Sequence, residues 1–95
     1  MYASITNYQF NSAFTEDERG QLERDVINVL AGSPGFKAYY AVKVSETETA
    51  VVVLFESQEA NEQARSRVTA AQQRIVGTKI AGQPHRVTGE VVYHK

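Results

Sequence analysis

Residues 2–10, Tyr2-Ala3-Ser4-Ile5-Thr6-Asn7-Tyr8-Gln9-Phe10, mix aromatic, β-branched and small polar side chains with no helical period, which predicts a strand. One face of that strand carries Tyr2, Ser4, Thr6, Tyr8 and Phe10, and the other carries Ala3, Ile5, Asn7 and Gln9. Thr15-Glu16-Asp17-Glu18 fits a capping box, and its acids suit the positive end of a helix. Leu22, Val26, Val29 and Leu30 then recur at helical spacing. Gly32 is expected to end this helix in a left-handed conformation, and Pro34 blocks its continuation.

Two alternating stretches follow, 36–45 and 49–56, joined by the short polar link Glu46-Thr47-Glu48, which predicts a hairpin. In the first stretch Phe36, Ala38, Tyr40, Val42 and Val44 alternate with Lys37, Tyr39, Ala41, Lys43 and Ser45. Ser57 is the expected cap of a second helix over about 58–76. Its apolar stripe, Ala60, Ala64, Val68, Ala71 and Ile75, is narrow and mostly alanine, which permits close approach to a sheet or leaves room for a pocket. Gly77 ends it, a loop runs over 78–85, and the last strand is expected at 86–94.

The order is therefore strand, helix, strand, strand, helix, strand. Right-handed crossovers put both helices on one face of the sheet, which predicts an α+β, ferredoxin-like βαββαβ fold with an antiparallel four-stranded sheet. No helix is left for the other face. Yet the run Ala50–Phe55 is apolar on both faces, and the first strand puts Ile5 opposite its aromatics. Leaving several such side chains wet forgoes about 1.5–3 kcal/mol each. The simplest cover is the same face of a second copy, so a homodimer through the helix-free sheet face is expected.

The length, 95 residues, allows one domain spanning 1–95. A chain this short buries only about 60–65% of its unfolded surface alone, so it needs added burial. Without cysteines, neither disulfides nor thiolate metal sites can supply it. His85 and His94 do not have the spacing of a metal motif, and no cofactor is expected. A partner chain remains. The net charge of −1 has no basic concentration, which argues against nucleic acid. The longest apolar run is far shorter than the ~20 residues that cross a bilayer, and a cytoplasmic location is expected.

Pro34-Gly35-Phe36, the strand carrying Tyr40, the apolar strand ending Phe55-Glu56-Ser57, the alanine-rich second helix and the closing Gly89-Glu90-Val91-Val92 together resemble the antibiotic biosynthesis monooxygenase-like family, a branch of the dimeric α+β barrel superfamily. The resemblance implies two sheets joined in a barrel with helices outside, and a pocket between helices and sheet in each protomer. It implies one of several activities. Some members oxidise polycyclic phenols with dioxygen and no cofactor, and others degrade heme. Heme degradation is disfavoured, because the tryptophan expected on the second helix is missing and His85 comes late. Two readings stay open: a cofactor-free monooxygenase acting on a small aromatic, phenol-like molecule, or a non-catalytic small-molecule-binding or stress-related dimer.

The resemblance also implies a pocket asparagine on the first strand, a position that Asn7 matches. Asn7 would then stabilise charge on a substrate or oxygen atom, provided its face, shared with Ile5, is the helix-facing one; otherwise it is a polar residue facing water. Arg86 is the second catalytic candidate, against a reading as a solvated strand-end charge. Tyr39 and Tyr40 point to opposite faces, so one is expected at the pocket and the other at the dimer seam. Val68 on the second helix and His85, a base near neutral pH, complete the pocket candidates.

Overall fold

The computed structural model describes residues 1–76, 80–82, 84–93 and 95, and for 72–76 the backbone alone. The elements are β1 (Tyr2–Gln9), α1 (Glu16–Ala31), β2 (Phe36–Ser45), β3 (Glu48–Phe55), α2 (Gln58–Val76) and β4 (His85–Glu90). All neighbouring strands are antiparallel, in the order β2-β3-β1-β4. The ferredoxin-like arrangement expected from the element order is therefore the observed one. The expected helix end at Gly77 and the C-terminal His94 lie outside the described residues, as does the side chain of Ile75.

Local chemistry explains the element boundaries. Thr15 Oγ1 accepts from the Glu18 amide at 3.1 Å while Glu18 Oε1 accepts from the Thr15 amide at 3.0 Å, so the capping box at α1 is closed in both directions. Ser57 Oγ accepts from the Ala60 amide at 3.1 Å and starts α2. The exit from α1 differs from expectation. Gly32 has φ −88°, and Ser33 closes the helix by donating its hydroxyl to the Val29 carbonyl at 2.8 Å. The left-handed glycine is Gly35, at φ +80°, where the chain turns into β2. Its hydrogen is also required for space, since a Cβ there would lie 2.8 Å from the Ala60 Cβ on α2.

The helices cover one face only. Under them lie Ser4, Thr6 and Tyr8 of β1 and Thr49, Val51, Val53 and Phe55 of β3, all buried. Leu30 and Val26 of α1 are fully enclosed, and α2 contributes Ala60, Ala64 and Ala71. The alanine stripe thus serves close approach. Polar side chains on this inner face, Ser4, Thr6, Thr49 and Asn61, are buried, and no buried side-chain polar atom among the described residues lacks a partner.

The opposite face is open. Val87, Ile5, Val52 and Tyr40 form one continuous row across all four strands, set by the pairs Ile5–Val87, Ile5–Val52 and Tyr40–Val52. Ile5, Tyr40, Val42, Val44 and Val87 are 47%, 58%, 50%, 55% and 54% exposed. Edge strand β2 carries irregularities between Phe36 and Ala38 and between Lys43 and Ser45. The first lets Phe36 and Tyr39 both pack against the core, where strict alternation would set them on opposite faces. The last strand ends at Glu90, short of the expected 94, although the Val91 amide still donates to the Met1 carbonyl at 2.8 Å. No helix among the described residues is long and apolar enough to cross a membrane.

Candidate functional site

Two adjoining clefts open between the helices and the inner face of the sheet. They meet at Tyr8, Tyr39 and Val51, which line both. Each encloses about 30 Å³ wide enough for water, the room of about two molecules. Counted out to their mouths they span about 460 and 410 Å³, respectively.

The first cleft lies under the start of α1 and is mainly aromatic. Phe10 and Phe14 meet edge to face with centroids 4.6 Å apart, and Tyr8 stacks parallel to Phe10 at 6.2 Å. Arg19 projects from the first turns of α1, its guanidinium carbon 5.8 Å from the centre of the Phe14 ring and its Nη1 donating to Thr49 Oγ1 at 3.4 Å. Glu23, one turn further on, also lines this cleft.

Tyr39 stands at the junction. Burial is the main reason its hydroxyl is pushed up to about 12, with the Glu23 carboxylate and Tyr8 adding to the rise and Arg19 opposing it. At neutral pH this phenol is therefore a hydrogen-bond donor and not a base.

The second cleft lies under α2. Its floor is Ser4 and Thr6, and Ala64 and Val68 form part of its helical wall. Arg86 enters from β4, where pairing sets it beside Thr6, and its Nε donates to Thr6 Oγ1 at 3.2 Å. Arg65 lines the same cleft from α2.

The expected site residues thus divide by face. Tyr39, Val68 and Arg86 converge on the clefts. Tyr40 lies on the open face, so the two tyrosines do point to opposite sides. Asn7 is not on the helix-facing side. The helix cover follows Ser4, Thr6 and Tyr8, which leaves Asn7 on the open face with Ile5, its Nδ2 donating to Glu48 Oε2 at 2.7 Å and its Oδ1 accepting from Gln9 at 3.2 Å. His85 pairs directly with Asn7 and is exposed. Among the described residues no group of three or more histidine, cysteine, aspartate or glutamate side chains converges as metal ligands. The clefts also use residues that the sequence did not single out, above all Tyr8, Arg19 and Thr6. The signal for two of them was present in the face shared by Ser4, Thr6, Tyr8 and Phe10, where two small hydroxyl side chains are followed by two bulky rings.

No family model matches the chain, and no curated protein matches it. Solved structures do. A Nitrosomonas europaea protein provisionally assigned as an antibiotic biosynthesis monooxygenase superimposes with a TM-score of 0.75 at 13% identity, over 98% of this chain and 100% of that one. SnoaB, a cofactor-independent oxygenase from Streptomyces nogalater, gives 0.74 at 9% identity, over 98% and 94%. A dimeric ferredoxin-like protein of unknown function from Thermobifida fusca gives 0.70 at 18% identity, over 95% and 90%. In sheet order, helix placement and extent, this chain has the ferredoxin-like fold of the antibiotic biosynthesis monooxygenase structures.

Proposed function

We propose that the chain is a cofactor-free oxygenase that takes a small aromatic, phenol-like molecule into the helix–sheet clefts and works as a homodimer through the open sheet face. The observation that carries the reading is Tyr39, a phenol held protonated at the junction of an aromatic cleft and a hydroxyl-floored one. The fold shared with a cofactor-independent oxygenase supports it.

The chemistry suits such a site. An activated methylene between aromatic carbonyl and phenol groups passes a proton to water in the cleft, to be returned to the reduced oxygen, and leaves a carbanion whose charge rests on the neighbouring oxygen. Dioxygen then takes the electrons, and the balance is CH2 plus O2 giving C=O plus H2O. The protein's task is to donate hydrogen bonds to the oxygen that becomes negative. Tyr39, held as the neutral phenol, and Arg86, with its fork of N–H groups, are the donors. Burial strengthens their contribution because little water competes. A flat ring enters only if the cleft walls part, since the enclosed space holds about two waters. In this reading Asn7 and His85 belong to the sheet-to-sheet contact and not to the chemistry.

Oxygen uptake with anthrone and hydroquinone substrates tests the proposal. The expected result is turnover above the buffer rate that falls about 10²–10³-fold in Tyr39→Phe, the usual loss when one oxyanion donor is removed. No uptake with any such substrate sinks the oxygenase reading. Aromatic binding without uptake would instead favour a non-catalytic binding protein on the same scaffold.

A further inference from the structure

Glu23 is a charged group that the chemistry above leaves unused. It follows Arg19 by one turn of α1 and lies beside Leu22, on the side of the helix whose Val26 and Leu30 pack against the sheet. Glu23 is half-buried and lines the first cleft among the rings of Tyr8, Phe10, Phe14 and Tyr39. Among the described residues its carboxylate makes no hydrogen bond and no ion pair. Arg19 does not close on it, because that guanidinium is turned to Thr49 Oγ1 and to the Phe14 ring. The Tyr39 hydroxyl does not donate to it either, yet the two are near enough for the carboxylate to help push the phenol up to about 12. A protonated donor and an unpaired carboxylate thus face one enclosed space of about 30 Å³ without meeting, with room between them for about two waters. An oxygen placed there accepts from Tyr39 and donates to Glu23 at once.

We infer that Glu23 is the proton acceptor of the reaction, receiving the methylene proton through cleft water and returning it to the reduced oxygen. This deepens the proposed function and rests on its reading of the clefts as the place where an aromatic methylene is activated. One carboxylate closes the balance. The first C–H proton passes to Glu23 and the carbon keeps the electron pair. Dioxygen takes that pair in a new C–O bond, and its outer oxygen takes the proton back, giving a hydroperoxide. Glu23 then receives the second C–H proton. The pair left on carbon closes the C=O bond, the O–O bond breaks, and the departing hydroxide takes the proton and leaves as water. Roles divide cleanly between the two facing groups: Tyr39 donates to the oxygen that becomes negative, and Glu23 holds the proton in transit.

Hydrogen–deuterium exchange tests the proton step without the oxygen step. Anthrone is incubated with the protein in D2O at neutral pH under nitrogen, and deuterium entering its methylene is read by mass spectrometry of the extracted compound. The expected result is exchange above the buffer rate that falls by about 10²–10⁴-fold in Glu23→Gln, the usual worth of a positioned acid–base group. Glu23→Asp keeps part of the rate, because a carboxylate remains one methylene further back. In Glu23→Ala, added formate restores exchange, which a merely structural role for Glu23 does not allow. Exchange no faster than in buffer overturns the inference. So does undiminished exchange in Glu23→Gln, or a loss that neither aspartate nor formate repairs. If Glu23→Gln does not fold, the aspartate and formate measurements decide. Oxygen uptake is read separately in air. Uptake that is undiminished in Glu23→Gln overturns the role of Glu23 and leaves the oxygenase reading standing. Glu23-dependent exchange in a protein that consumes no oxygen does the reverse.

Discussion

Replacing Ile5 by aspartate places a charge at the centre of the open sheet face, between Val52 on one side and Val87 on the other. If that face stays wet, the change is minor. Ile5 is already 47% exposed, and a surface substitution in a strand costs at most about 1 kcal/mol. If the face pairs with its copy, the consequence is far larger. Ile5, Tyr40, Val42, Val44 and Val87 are each about half exposed, so covering them gains roughly half of the 1.5–3 kcal/mol that full burial of such a side chain yields. That amounts to about 4–7 kcal/mol per protomer, and about twice that for an isologous pair. Association itself costs about 4–15 kcal/mol, so gain and cost are of the same size and one residue of the row weighs heavily in the balance. Two-fold symmetry introduces the aspartate twice. Losing both isoleucines and desolvating two unpaired carboxylates removes at least about 4 kcal/mol, a factor of about 10³ in dissociation constant. Light scattering coupled to gel filtration reads the outcome directly. Wild type should run at twice the 10.6 kDa chain mass and Ile5→Asp at the chain mass, with a melting temperature that depends on concentration only in the wild type. A wild-type monomer at about 100 μM would refute the reasoning. So would an Ile5→Asp dimer of undiminished affinity.

Gly35→Ala forces a side chain into the left-handed region and sets its Cβ 2.8 Å from that of Ala60. It should cost about 2–4 kcal/mol and lower the melting temperature by more than about 10 °C, as read by circular dichroism; a drop of only a degree or two would contradict the close approach. Raising the Tyr39 pKa from 10.0 to about 12 means that the native state favours the neutral phenol. Its stabilisation is complete below pH 10 and lost as pH climbs toward 12, so an alkaline absorbance titration should show one late-ionising tyrosine that is absent from Tyr39→Phe. Thr15→Ala opens the capping box at α1 and should cost about 1 kcal/mol in chemical denaturation, with Thr15→Ser retaining most of the stability.

Element type and order were legible because each segment repeats one period strongly, and because Thr15, Ser57 and Pro34 punctuate the chain. Which face of β1 lies under the helices was not legible. Hydropathy favours burying Ile5, but the structure buries Ser4 and Thr6 and leaves Ile5 on the open face, where a flat apolar row spans four strands. The resemblance matched Asn7 to a pocket asparagine on condition that the face it shares with Ile5 lay under the helices, and the same inversion moves it out. In β2 the irregularity after Phe36 breaks strict alternation, and no turn residue marks it in the sequence. Arg86 lines the cleft instead of standing as a solvated strand-end charge, for a reason that only the register supplies: it pairs with Thr6. Arg19 was invisible as a site residue because its role depends on how α1 lies across the sheet, and Tyr8 was legible only as a member of the face it shares with Ser4 and Thr6.

The hydroxyl floor of Ser4, Thr6 and Thr49 has a bearing on how this scaffold could change its ligand over time. The tight anchorage of the helices rests on other side chains, Leu30, Val26 and Phe55, where an exchange opens a cavity. Serine and threonine are small, and their hydrogen bonds can be handed to water or to an incoming group. The layer between helices and sheet thus combines side chains that secure the fold with side chains that tolerate replacement. Substitutions at the floor would retune what the clefts accept while leaving the scaffold standing, which is consistent with one architecture being kept by chains less than a fifth identical.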